Sequence, residues 1–117
     1  MPAQPTLLTA ATDLATDTTS ELFRAADRGV GVSFFINHTR PGAEVAPHRH
    51  PYPEVFVVQA GKTVFTVEGD ELSAVVGQVV VVPAGTAHGF RNATGAVVEM
   101  LSIHPVAEME TEWLEES

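Results

Sequence analysis

The histidines carry the strongest chemical signal in this chain of 117 residues. His48 and His50 are separated by one residue, so on a strand both imidazoles leave the same face, with Cα atoms about 7 Å apart by strand rise. Pro51-Tyr52-Pro53 follows, lacks two backbone donors, and reads as a corner that delivers Glu54 to the start of the next strand. Much later, Pro83-Ala84-Gly85 reads as a turn of type I that sets His88 at the head of another strand. Three neutral imidazoles and a carboxylate form a site suited to divalent Fe, Mn, Ni, Zn, Co or Cu, and too nitrogen-rich for Mg or Ca. On a six-coordinate ion this set leaves positions open to water, substrate or dioxygen, an arrangement for catalysis rather than for a closed structural site.

The bland reading of His48 and His50 alone is a pair of surface histidines beside a turn; Glu54 and His88 in register weigh against it. His38, just before the Pro41-Gly42 turn, is expected to be exposed. His104 ends the last β run beside Pro105 and is expected as a boundary residue, the lesser alternative being a group near the pocket. By strand parity Phe56 and Val58 share the face of Glu54, while Phe90 and Asn92 share that of His88, so these four line the interior as core or pocket wall. Either Phe34 and Ile36 or Phe35 and Asn37 face them. Arg49 and Arg91 have the opposite parity and point away, which favours a small, uncharged or mildly acidic organic molecule over a phosphosugar or nucleotide.

These side chains must be held by strands. The runs 30–39, 54–60, 63–68, 71–76, 79–82, 88–92 and 96–104 are rich in Val, Ile, Phe and Thr and are bounded by Gly, Pro, Asn or Asp, as in a sandwich or barrel. Residues 1–20 are expected as an extended N-terminal arm, ordered at most in part, with a short edge strand at Thr6–Thr9 added to its own barrel or to a partner. Residues 21–117 form the single domain, closed by an acidic tail whose Met109, Trp113 and Leu114 predict a helix over 108–116.

The net charge of −9, with scattered basic residues, argues against nucleic acid and against an anionic membrane surface. The lack of cysteine excludes a disulfide framework, a thiolate metal site and a nucleophilic thiol. No apolar run approaches the length of a membrane span, and no basic residue precedes Arg24, so no secretory signal is read and a cytoplasmic location is expected.

The stretch Gly42-AEVAP-His48-Arg-His50-PYP-Glu54-VFVVQA-Gly61 resembles the first cupin motif, and Gly77-QVVVV-Pro83-Ala-Gly85-TA-His88-GFR-Asn92 resembles the second. Every anchor position is filled. The resemblance implies an all-β fold, the double-stranded β-helix or jelly-roll barrel of a monocupin. It also implies one divalent transition metal per chain held by His48, His50, Glu54 and His88, a small organic molecule as partner, and a homodimer. Dioxygenase chemistry leads among the activities implied, with isomerase, decarboxylase, lyase or cyclase chemistry as alternatives on the same ligands. A non-enzymatic binding module, and a barrel that serves assembly through its acidic tail, are the rival readings.

Overall fold

The computed structural model describes residues 4–17 and 19–114. The β-branched and aromatic runs fold into two antiparallel sheets whose apolar faces meet. The first sheet has the order β1-β2-β3-β10-β5-β8: β1 (Ala15–Thr16), β2 (Ser20–Phe23), β3 (Ser33–Thr39), β5 (Glu54–Ala60), β8 (Val79–Val82) and β10 (Val98–His104). The second has the order β11-β4-β9-β6-β7: β4 (Glu44–Arg49), β6 (Lys62–Val67), β7 (Asp70–Val75), β9 (His88–Arg91) and β11 (Glu112–Trp113).

Alternation decides which side chains go inward. Along β5, Glu54, Phe56 and Val58 are buried while Val55 and Val57 are only half-buried; along β10, Val98, Met100, Ser102 and His104 are buried. Phe56, Phe65 and Phe90 pack edge-on or tilted at centroid separations of 4.9–5.8 Å, and with Met100, Val82 and Val98 they form the apolar core. Burying each such phenylalanine is worth about 1.5–3 kcal/mol. The core fills one part of the barrel and leaves the part lined by histidines open.

Three local expectations are corrected. Thr6–Thr9 adds no strand to its own barrel: the Thr9 N–H donates to the Asp13 carboxylate at 2.8 Å, and this closes a single helical turn, α1 (Ala10–Asp13). The turn after β8 is of type II, because Thr86 N donates to Pro83 O at 3.2 Å while Gly85 has φ +75°, which type I does not allow at that position. The C-terminal segment is not a helix. Its residues 112 and 113 add the strand β11 to the free edge of β4, pairing Glu112 with Arg49 and Trp113 with His48. So short a helix has little stability of its own, whereas the β4 edge offers ready hydrogen-bond partners. Glu115 and Glu116, also within the expected helix, lie outside the described residues.

The N-terminal arm joins the first sheet, β1 pairing with β2 and β2 with β3. His38 on β3 cross-links this addition: its Nε2 lies 2.9 Å from Glu21 Oε1 on β2, and its Nδ1 contacts Glu99 Oε2 on β10. The bond to Glu21 raises the imidazole pKa, burial opposes, and Glu99 reinforces the rise. A raised folded-state pKa contributes stability that is complete below the unfolded value of about 6.5 and is lost as pH rises through the folded value. His38→Gln is therefore expected to flatten the loss of stability above about pH 6.5, by no more than ~1 kcal/mol for so exposed a group. Urea melts from mildly acidic to alkaline pH check this; the same pH slope in both proteins would refute it.

Candidate metal centre

His48, His50, Glu54 and His88 converge. All four are buried, and one ligand atom from each lies within 4.8 Å of every other. Three elements bring them together. β4 pairs with β9 in register at Val45–Phe90 and again at His48–His88, so Ala46 and Pro47 together oppose Gly89 alone. This bulge accommodates Pro47 and resets the alternation, so that both Val45 and His48 face inward. A Cβ on Gly89 would stand 2.6 Å from Val45 O, so only glycine lets the bulge lie this close. The Pro51–Pro53 corner then turns the chain into β5 and presents Glu54, and Gly85 N donates to His50 O at 2.8 Å to join the two motif turns.

Each of the three imidazoles is anchored on its far nitrogen by a backbone carbonyl. His48 Nδ1 is 2.8 Å from Ala46 O, His50 Nδ1 is 2.6 Å from Glu110 O, and His88 Nδ1 is 2.9 Å from Thr86 O. A carbonyl only accepts, so Nδ1 carries a proton, and in the neutral form of each ring Nε2 keeps a lone pair that a metal can take. His50 Nε2 and His88 Nε2 lie 3.1 and 3.0 Å from Glu54 Oε1, and His50 Nε2 is buried without a hydrogen-bond partner. Glu54 Oε1 pairs with His88 Nε2 when that nitrogen carries a proton, which leaves His50 Nε2 unpaired; a cation among these atoms would satisfy all of them. The residues present therefore fit a divalent metal.

Burial pushes the His48 pKa down, and the neighbouring His88 and His50 add to this against the Ala46 carbonyl. Burial also disfavours charge on His50, but its contacts with Glu54 and the Glu110 carbonyl outweigh that and raise its pKa. Burial alone would raise Glu54; the imidazoles of His104, His50 and His88 reverse the sign and hold it far below the usual carboxylate range.

The centre opens on a cavity of about 340 Å³. Its apolar lining comes from Phe35, Val45, Phe90, Met109 and Trp113. Asn37 Nδ2 donates to Ser102 Oγ at 2.8 Å within it, and Asp17, Thr19 and Ser20 of the N-terminal segment also contribute. Phe35 and Asn37 are thus the inward pair of β3. Of the side chains expected inside by parity, Phe90 lines the cavity. Phe56 and Val58 lie in the apolar core, and Asn92 donates to Thr39 O and Ala96 O at 2.9 and 2.7 Å, holding a turn together. Arg49 and Arg91 point away, onto Glu112 at 2.6 Å and Glu71 at 2.8 Å.

Two further residues stand at the centre. His104, expected as a boundary group with a place near the pocket as the lesser alternative, is buried at 4% exposure, with Nε2 3.2 Å from Glu54 Oε2 and Nδ1 2.8 Å from the Tyr52 hydroxyl. Its parity with Val98, Met100 and Ser102 was the available signal. Tyr52 stacks on His50 at 5.0 Å, and burial pushes its phenol up to about 12.

The C-terminal segment belongs to the same site. Met109, Thr111 and Trp113 follow strand parity into the cavity, Glu110 supplies the carbonyl on His50, and the Trp113 ring lies 4.7 Å from that of His48. Deleting residues 108–117 is expected to leave a folded barrel that binds metal about tenfold or more weakly, since His50 loses its anchor. Metal titration and gel filtration of the truncated protein check this. Unchanged affinity with a smaller assembly would favour a tail that serves association instead.

Residues 35–104 match the family described as "Cupin domain". No curated protein matches the chain. Among solved structures, the chain is similar to the S161A mutant of Bacillus subtilis oxalate decarboxylase (18% identity, TM-score 0.76, covering 89% of this chain and 30% of that one). It is equally similar to an uncharacterized conserved protein with a double-stranded β-helix domain from Klebsiella pneumoniae (15% identity, TM-score 0.76, covering 97% and 100%). An oxalate oxidase superposes at 19% identity and TM-score 0.73, covering 92% of this chain and 63% of that one. The chain spans about a third of the oxalate decarboxylase. At these identities the likeness speaks for the fold.

Proposed function

The chain belongs to the cupin family, and on that premise we propose that it is a metal-dependent enzyme acting on a small organic molecule, with His48, His50, Glu54 and His88 as the ligands of one divalent transition metal. The observation that carries this reading is the convergence of three imidazoles on a buried carboxylate, each ring held on Nδ1 by its own backbone carbonyl so that Nε2 is the atom left to a metal. When bound, such an ion supplies a Lewis acid with open positions and, if it is iron, reactivity toward dioxygen; dioxygenase-type chemistry is the leading form of the proposal.

The residues of the chain set the substrate class. Among the described residues no lysine or arginine lines the cavity, whereas Asp17 and Glu54 do. A dianion such as oxalate, named for two of the similar structures, would enter without a cationic partner from the protein. An uncharged or mildly acidic molecule meets no such cost: Trp113, Phe35 and Phe90 offer apolar walls, and Asn37 with Ser102 offers hydrogen bonds.

The test is a Co(II) titration of the metal-stripped protein, followed by a screen for oxygen uptake with Fe(II) and small neutral substrates. Protons compete for Nε2, so affinity is expected to fall more than roughly tenfold between about pH 7.5 and about pH 5.5. Affinity that does not change over this range contradicts histidine ligation. Binding of small molecules without turnover would leave a binding module in place of an enzyme.

A further inference from the structure

Glu54 has two carboxylate oxygens, and they face different groups. Oε1 lies toward the Nε2 atoms of His50 and His88, whereas Oε2 lies 3.2 Å from His104 Nε2. His104 stands outside the four-residue cluster. An ionised carboxylate only accepts, so the His104 tautomer with its proton on Nε2 is the one that directs a donor toward Oε2. His104 Nδ1 is then the acceptor, and the Tyr52 hydroxyl at 2.8 Å donates to it. This ordering runs in one direction, from phenol through imidazole to carboxylate. The same two rings pack on His50, Tyr52 stacked at 5.0 Å and 17° and His104 edge-on at 4.9 Å and 82°.

We propose that Tyr52 and His104 form a positioning relay that occupies Oε2 and so presents Glu54 to the metal through Oε1 alone. The inference rests on the four-ligand reading above. Neither residue lies at an expected ligand position, and each acts through a ligand: His104 on the Glu54 carboxylate, Tyr52 on His104 and on the plane of the His50 ring. Without the relay, Glu54 can rotate or chelate with both oxygens, and both the affinity and the ligand field of the ion change.

The experiment compares Co(II) binding and visible absorption of the full chain with those of Tyr52→Phe, His104→Leu and His104→Gln. Tyr52→Phe and His104→Leu are expected to weaken Co(II) binding about ten- to a hundredfold and to shift the absorption bands. His104→Gln keeps a donor toward Oε2 and recovers part of the affinity and of the native spectrum. Should His104→Leu fail to fold, Tyr52→Phe decides, because it removes a single hydroxyl. Tyr52→Phe with native affinity and native bands overturns the relay while the four-ligand reading stands. A wild-type protein that does not bind Co(II) overturns both.

Discussion

Replacing His88 by alanine is expected to strip the metal from the protein while leaving the barrel folded. If the binding energy of a four-ligand site is shared among its ligands, losing one costs about 3 kcal/mol, a hundredfold or more in affinity. The loss is enlarged here because His88 Nε2 is one of the two nitrogens beside Glu54 Oε1. Folding should survive, since the apolar core of Phe56, Phe65, Val98 and Met100 does not depend on the ion. Elemental analysis of the untagged proteins, with circular dichroism, reads both quantities. The expected result is about one transition metal per chain in the wild type and almost none in His88→Ala. Metal retained by the variant at the wild-type level would mean that the ion is held elsewhere.

Gly89→Ala is the second large effect, and it joins stability to the site. The added Cβ would meet Val45 O at 2.6 Å, Ala46 C at 3.2 Å and Pro47 N at 3.2 Å, all of them backbone atoms of the β4 bulge. Backbone held in a bulge at a proline cannot swing aside, so β4 and β9 must part. Overpacking of this kind costs about 2–4 kcal/mol, a large share of the ~5–15 kcal/mol that holds a domain folded. A melting temperature lower by about 8–16 °C is expected for a domain of this size. His48 and His88 sit at the next paired position of the same two strands, so metal affinity should fall with it. Gly95→Ala is the control, because a Cβ there meets nothing within 4 Å. If Gly89→Ala melts and binds metal like Gly95→Ala, the close approach does not position the site.

The convergence of His48, His50, Glu54 and His88 was legible because it obeys two short-range rules. His48 and His50 are two apart on extended chain, and Glu54 and His88 each begin a strand after a proline-bearing turn. The core of β5 and β10 was legible for the same reason, as parity needs no knowledge of partners. Where a bulge, a turn type or an edge decided the outcome, local pattern misled. Met109 and Trp113 fit a helical spacing, yet Met109, Thr111 and Trp113 fit a strand equally well, and only the open edge of β4 chose between them. His104 looked terminal because Pro105 follows it, although its parity already placed it inside.

By itself, then, the sequence determined the fold class, the inward face of each strong strand and the four residues suited to a metal, because alternation and turn chemistry act over a few residues. Only the tertiary structure decided what surrounds them. It set Tyr52 and His104 behind Glu54, the Glu110 carbonyl behind His50 and Trp113 beside His48, and it left the cavity without a described cation. These contacts join chain segments that pattern alone cannot relate, since they exist only once two sheets have closed on each other.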